Sequence, residues 1–129
     1  MKFGIHASFV ASPFTTRCSR RFPRFRAWGF DSVEIPVEDP ALIDPPKSRS
    51  RLEGHGLSSE TPCVCLGPDR DPRGSPRRLR TGLTYLRTLV DQAVELGSWV
   101  IVGPVYSAVG RPGRTACWLT RKVRPKRIW

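Results

Sequence analysis

The sequence lacks any apolar run near the roughly 18 residues that a membrane-spanning helix needs, which excludes a transmembrane protein. It also has few cysteines, only four in 129 residues, which excludes a disulfide scaffold and favours reduced thiols in the cytoplasm. The apolar stretch near the N-terminus is too short and too polar for a signal peptide. No Gly-x-Gly-x-x-Gly motif follows the first predicted strand, so a dinucleotide-binding fold has no support.

Acidic residues are absent from residues 110–129, which contain seven basic side chains. Residues 1–109 contain 15 basic and 11 acidic side chains, so most of the net charge of +11 lies in the last 20 residues. That segment shows no apolar period of either two or 3.6 residues. The sequence therefore predicts a folded domain over residues 1–109 and an unstructured basic tail over residues 110–129.

Apolar periodicity predicts strands at residues 2–8, 30–36, 61–66 and 99–102, and helices at residues 14–28, 45–55 and 76–96. Pro23 is expected to kink the first helix or delay its start, because proline is tolerated only in a first turn. Ser75 and Gly97 are predicted to cap the third helix. The continuous apolar run at 99–102 predicts a strand buried on both faces. Alternating strands and helices indicate parallel pairing.

Four segments carry a family resemblance: KFGIHASF, GFDSVEIPVEDP, CLGPDRD and ELGSWVIVGPVYSAVGR. Taken in order and at this spacing, they resemble the sugar isomerases and epimerases with a xylose-isomerase-like TIM barrel. Among these, the D-tagatose/D-psicose 3-epimerases are the most similar. The resemblance runs from Met1 to about Arg111, and a complete barrel needs about 250 residues. It therefore implies a partial (β/α)8 barrel, the N-terminal half, with about four parallel strands and three helices.

The resemblance also implies which parts of the family's active site are missing from this chain. The family epimerises or isomerises ketoses through an enediolate, using a divalent Mn, Mg or Co ion held by two Glu, one Asp and one His on strands five to eight. Those strands have no counterpart here, so we expect no catalytic or metal-binding residue and no cofactor in this chain, and no activity from it alone. The change in composition after Arg111 predicts the N-terminal piece of a longer gene, ended by a shifted reading frame or a wrong gene boundary.

The half that is present would contribute only the wall of the sugar pocket. By position, five residues resemble substrate-binding positions of the family, three on the first three strands and two after the fourth: His6, Glu34, Cys65, Gly103 and Tyr106. Val10 departs from the aromatic residue that epimerases often carry there. Cys63 and Cys65 should share one face of a strand, and Cys-x-Cys without a second pair favours core packing over a zinc site.

Two other interpretations remain open. A sequence pI near 10.8 and a Gly-Arg-Pro segment at 110–112 favour nucleic-acid binding. Arginine makes up 18 of the 22 basic residues and is spread over the helices, which is typical of a solvated surface, so we expect no specific nucleic-acid partner. Alternatively, the open edges of a half-barrel would favour association, either as a homo-oligomer or with another subunit.

Overall fold

A computed structural model describes residues 1–110, and the predicted basic tail lies outside them except for Gly110. Three strands, β1 (Gly4–His6), β2 (Ser32–Val37) and β3 (Ser58–Val64), form one parallel sheet in the order β1-β2-β3. The helices are α1 (Phe22–Ala27), α2 (Pro45–Gly54) and α3 (Pro76–Leu96). The α/β alternation and the parallel pairing are as predicted. None of the helices described is long and apolar enough to cross a membrane.

The prediction of a fourth strand is wrong. At residues 99–102 only one bridge forms, between Cys63 and Val102, although the Val64 amide donates to the Val102 carbonyl at 2.6 Å. Trp99 is 98% exposed and Val100 is 56% exposed, whereas the prediction required burial on both faces. Among residues 1–110, no further strand pairs with the outer edge of this segment, so most of its apolar side chains face solvent.

The first helix begins later than predicted. A 3-10 turn over Thr16–Arg21 precedes α1, and Pro23 occupies the first turn of the α-helix, where its missing N–H costs nothing. Phe22 and Phe25 are fully buried, while Trp28 is half exposed and lies beneath the Arg24 guanidinium, 5.0 Å from the ring centroid. Proline therefore delayed the helix, one of the two predicted outcomes.

The other two helices begin and end where capping chemistry predicts. The Asp44 carboxylate accepts from the Lys47 amide at 3.0 Å at the start of α2, and Ser75 Oγ accepts from the Arg78 amide at 3.4 Å at the start of α3. Gly97 ends α3 in the left-handed conformation, at φ 78°, which glycine adopts without a steric penalty.

The hydrophobic core lies between the sheet and the helices. Val33, Ile35 and Val37 of β2 are fully buried against it, which is the alternation expected for one face of a strand. The helices contribute buried apolar side chains to the same cluster: Phe22, Phe25, Leu52, Tyr85, Leu89 and Leu96. The opposite face of β2 carries Glu34, and this second face is called the open face below.

Candidate functional site

The open face brings together side chains from all three strands. His6 is paired with Glu34 in the register of β1 and β2, so the two side chains stand side by side. Cys63 and Cys65 alternate with Val64 and Leu66, which are buried in the core, so both thiols point to the open face. The prediction that Cys63 and Cys65 share a face is confirmed, but core packing is wrong because both are only partly buried on the side away from the core.

His6 and Glu34 form the centre of this face. His6 Nε2 lies 3.7 Å from Glu34 Oε1, and the two side chains are 27% and 29% exposed. The other ring nitrogen, Nδ1, lies 2.6 Å from Ser8 Oγ and accepts from the Ser8 amide at 3.2 Å. The turn that follows β1 therefore fixes the ring orientation and directs Nε2 toward the carboxylate.

The two thiols interact with each other. A hydrogen bond with Cys65 raises the pKa of the Cys63 thiol, and partial burial raises it further. The same contact lowers the pKa of Cys65, because a thiol donor stabilises the neighbouring thiolate.

Three potential metal ligands converge on the open face. One ligand atom each from His6, Glu34 and Cys63 lie within 4.8 Å of one another. Within residues 1–110, this is the one group of three His, Cys, Asp or Glu side chains close enough to share an ion. Sequence reasoning selected His6 and Glu34 but not Cys63. Its position two residues before Cys65 was the available signal.

Cys65 is held in place from the core side of the sheet. Its backbone amide donates to Tyr85 Oη at 2.9 Å, and the same hydroxyl donates to the Val37 carbonyl at 2.6 Å. Burial raises the pKa of Tyr85 to about 12, and the Arg70 guanidinium lies 4.2 Å from the ring centroid. Tyr85 of α3 thus links β2 to the residue that follows β3. The prediction omitted Tyr85, because its partners are backbone atoms.

The two remaining predicted residues lie after the position of the missing fourth strand. A Cβ added to Gly103 would stand 2.7 Å from the Val64 carbonyl oxygen, and its φ of 124° suits only glycine. Gly103 therefore lets the chain approach β3 closely. The Tyr106 side chain is 71% exposed. The His6–Glu34–Cys63 cluster includes neither residue.

Comparisons with known proteins agree with this geometry. No family model matches the sequence. A ketose 3-epimerase from Arthrobacter globiformis is 30% identical over 110 residues, which cover 84% of this chain and 38% of that protein. The crystal structure of a D-allulose 3-epimerase from Methylomonas sp. in complex with D-allulose matches with a TM-score of 0.77 and 25% identity, over 88% of this chain and 40% of that one. The chain is a partial homologue of the ketose 3-epimerases.

The homologous part belongs to a larger fold. A xylose isomerase-like TIM barrel fused to a 4-hydroxyphenylpyruvate dioxygenase matches with a TM-score of 0.59 and 20% identity, over 80% of this chain and 16% of that one, which shows the fold. The described strands and helices thus have the fold of one part of a TIM barrel. The chain spans about two fifths of the length of the epimerases that it matches.

The metal site that the family resemblance implies does not match the described residues. The family resemblance implies a site of two Glu, one Asp and one His, whereas the cluster on the open face has one carboxylate, one imidazole and one thiol. Mn²⁺ and Mg²⁺ prefer carboxylate, carbonyl and water oxygens, and a thiolate selects softer ions. No step of the epimerase reaction is therefore assigned to a metal on this part of the chain.

Proposed function

We propose that the open face is one wall of a ketose-binding pocket, and that this chain by itself does not epimerise ketoses. The juxtaposition of His6 and Glu34 at 3.7 Å, on the side of the sheet away from the helices, carries the proposal. In a closed barrel that side is the interior, and substrates bind at the carboxyl ends of its strands. The similarity to an epimerase in complex with D-allulose supports a sugar as the ligand.

The residues on this face match the chemistry of a polyol. A sugar hydroxyl both donates and accepts, so the Glu34 carboxylate can accept from one hydroxyl while His6 Nε2 binds a neighbouring one. Both side chains are partly exposed, so a ligand can reach them. Cys65, Gly103 and Tyr106 complete the proposed wall at the ends of β3 and of the segment beyond it.

Inactivity follows from the demands of the reaction. Removing a proton from the carbon beside a carbonyl and returning it to the other face takes an acid–base group on each side of that carbon. It also takes a positive group that stabilises the developing oxyanion. Glu34 is one carboxylate on a single wall, and the family resemblance implies that the paired carboxylates lie on strands beyond the three described here.

The experiment combines turnover with binding. The reduced chain is incubated with D-allulose, D-tagatose or L-ribulose and Mn²⁺, Mg²⁺ or Co²⁺, with an intact ketose 3-epimerase as positive control. We expect no epimer above the blank, together with weak ketose binding by ligand-observed NMR. Glu34→Gln should weaken that binding, whereas Glu95→Gln, on the exposed surface of α3, should not. Undiminished binding by Glu34→Gln would refute the pocket.

We also propose that two copies of the chain associate through α3. Four large side chains at helical spacing are exposed on this helix: Leu79, Leu83, Val90 and Val94. Within residues 1–110, the core covers the stripe of Tyr85, Leu89 and Leu96 on one side of α3. The exposed stripe on the other side needs a separate partner to remove it from water. A second copy is favoured because its own α3 offers the same apolar row, and like rows cover each other in a two-fold dimer.

We further propose that the chain descends from a cytoplasmic enzyme of carbohydrate metabolism. We also propose that it has no specific nucleic-acid partner. Cys18, Cys63 and Cys65 are all free thiols, which suits a reducing compartment. Retention on a DNA column should therefore disappear smoothly as salt is raised and should not depend on sequence.

A further inference from the structure

The cluster on the open face has the construction of a metal site. Each of three neighbouring strands supplies one ligating side chain: His6 from β1, Glu34 from β2 and Cys63 from β3. A register irregularity between Val33 and Glu34 shifts β3 along β2. This shift sets Cys63 opposite Pro36, so the thiol approaches the His6–Glu34 pair from the carboxyl end of the sheet.

The distances are near those of a tetrahedral zinc centre. Bond lengths of about 2.0–2.3 Å at tetrahedral angles separate ligand atoms by roughly 3.3–3.8 Å. His6 Nε2 and Glu34 Oε1 already lie 3.7 Å apart. One ligand atom each from His6, Glu34 and Cys63 lie within 4.8 Å of one another, so small side-chain rotations would bring the three to ligand spacing.

The histidine also has the partner that a metal-bound imidazole needs. Such a ring uses one nitrogen as ligand and donates the N–H of the other to a nearby acceptor, which fixes tautomer and orientation. Nδ1 accepts from the Ser8 amide in this structure, so ligation through Nε2 requires the imidazole proton to lie on Nδ1, where Ser8 Oγ at 2.6 Å can accept it. Ser8 is therefore a positioning residue for Nε2.

We propose that His6, Glu34 and Cys63 bind a zinc-class divalent ion, with the fourth coordination position open to water. Imidazole, carboxylate and thiolate together are a zinc donor set, and three protein ligands with one open position are typical of exposed zinc centres. The partial exposure of His6 and Glu34 provides the entry path and the room for water. The site differs in donors and in strands from the one that the family resemblance implies.

Metal binding is measured without sugar, so failure of this proposal is distinguishable from failure of the ketose pocket. The full chain, reduced and freed of metal, is titrated with Zn²⁺ in competition with a chromophoric chelator, and separately with Co²⁺. We expect one ion per chain, and a thiolate-to-cobalt charge-transfer band with the visible bands of tetrahedral Co²⁺. Mn²⁺ should bind far more weakly than Zn²⁺. Absence of the charge-transfer band would overturn the proposal.

Variants assign the ligands. Cys63→Ser and Glu34→Gln should each weaken Zn²⁺ binding at least about 100-fold, and Ser8→Ala should weaken it about 10-fold or more, the range for a lost partner of a metal-bound histidine. Controls elsewhere in the sequence should bind as the parent does: Cys18→Ser, Cys117→Ser and His55→Asn. Unchanged binding by Cys63→Ser, or loss in a control, would refute the assignment.

A measurement on the unmodified chain covers the case in which a variant fails to fold. The protein is treated with a thiol alkylating reagent with and without Zn²⁺, and modification of each cysteine is followed by mass spectrometry. We expect Zn²⁺ to slow alkylation of Cys63 at least about 10-fold relative to Cys18, because a metal-bound thiolate is a weaker nucleophile. If Zn²⁺ protected all four cysteines equally from alkylation, or protected none of them, the result would contradict the site.

Discussion

The Tyr85 hydroxyl donates a 2.6 Å hydrogen bond to the backbone carbonyl of Val37. It also accepts from the Cys65 amide at 2.9 Å, so one side chain of α3 satisfies backbone groups at the carboxyl ends of two parallel strands. Loops that follow these ends build the functional side of a TIM barrel, and Tyr85 therefore positions the open face although it lies in the core.

Tyr85→Phe should destabilise the fold by about 1–3 kcal/mol, because a buried amide and a buried carbonyl would each lose a partner while the ring packing stays. Urea unfolding measures the change. Tyr106→Phe is the matched control: its ring is 71% exposed, and the free energy of unfolding should change by less than about 0.5 kcal/mol. Equal effects of the two substitutions would argue against the bridging role of Tyr85.

Gly82→Ala should also destabilise, by about 1–3 kcal/mol, since a Cβ there would stand 2.7 Å from the Arg70 carbonyl oxygen and would force α3 away from the loop after β3. Gly54→Ala, at the last residue of α2, meets no atom within 4 Å and should be neutral or stabilise by up to about 1 kcal/mol. Thermal unfolding compares the pair, and a stabilised Gly82→Ala variant would contradict the close approach.

Asp31 provides a pH-dependent contribution to stability. Hydrogen bonds from the Phe3 amide and the Arg26 side chain hold the pKa of Asp31 below its ordinary value of 3.8. Because the folded-state pKa is the lower one, ionised Asp31 stabilises fully above the unfolded-state value, and the contribution is lost as pH falls through the folded-state pKa.

Asp31→Asn should therefore be less stable than the parent at neutral pH, and the difference should shrink as pH falls below about 4. Urea unfolding of both proteins across this range gives the comparison. If the two proteins differed in free energy of unfolding by the same amount at pH 7 and below pH 4, Asp31 would act by packing and not by charge.

Polar substitution on the exposed stripe of α3 tests self-association. The double variant Leu83→Gln and Val90→Gln should shift the chain toward monomer in sedimentation experiments, because it removes the apolar surface that drives pairing. Arg80→Gln together with Arg87→Gln changes the charge of the same helix and serves as the control. A parent chain that is monomeric at all concentrations would end this proposal.

Local chemistry made much of the fold predictable. Alternation identified β2 and the side on which Glu34 lies, and Ser75 and Gly97 marked the ends of α3 because caps act within a single turn. The inward face of α3 was not predictable from periodicity. Its apolar residues form two stripes, and the core selected the one with Tyr85 and Leu89 while leaving Leu83 and Val94 exposed.

The failure at residues 99–102 has a similar cause. A continuous apolar run predicts a strand, but a strand requires neighbours on both edges to be buried, and a local pattern cannot supply them. The site was predictable where the strand pattern placed side chains, as with His6 and Glu34. The spacing of Cys63 and Cys65 indicated a shared face, but the approach of Cys63 to His6 and Glu34 depends on the register shift between β2 and β3, which a local pattern does not determine.

A proton-exchange assay on the purified chain tests most directly whether it epimerises ketoses by itself. D-allulose is incubated with the protein and Mn²⁺ in D₂O, and NMR follows deuterium at carbon 3 and the appearance of D-fructose. We expect ketose binding that depends on Glu34 but neither exchange nor product. Exchange that disappears in Glu34→Gln would contradict this expectation, because this part of the barrel would then carry out catalysis by itself.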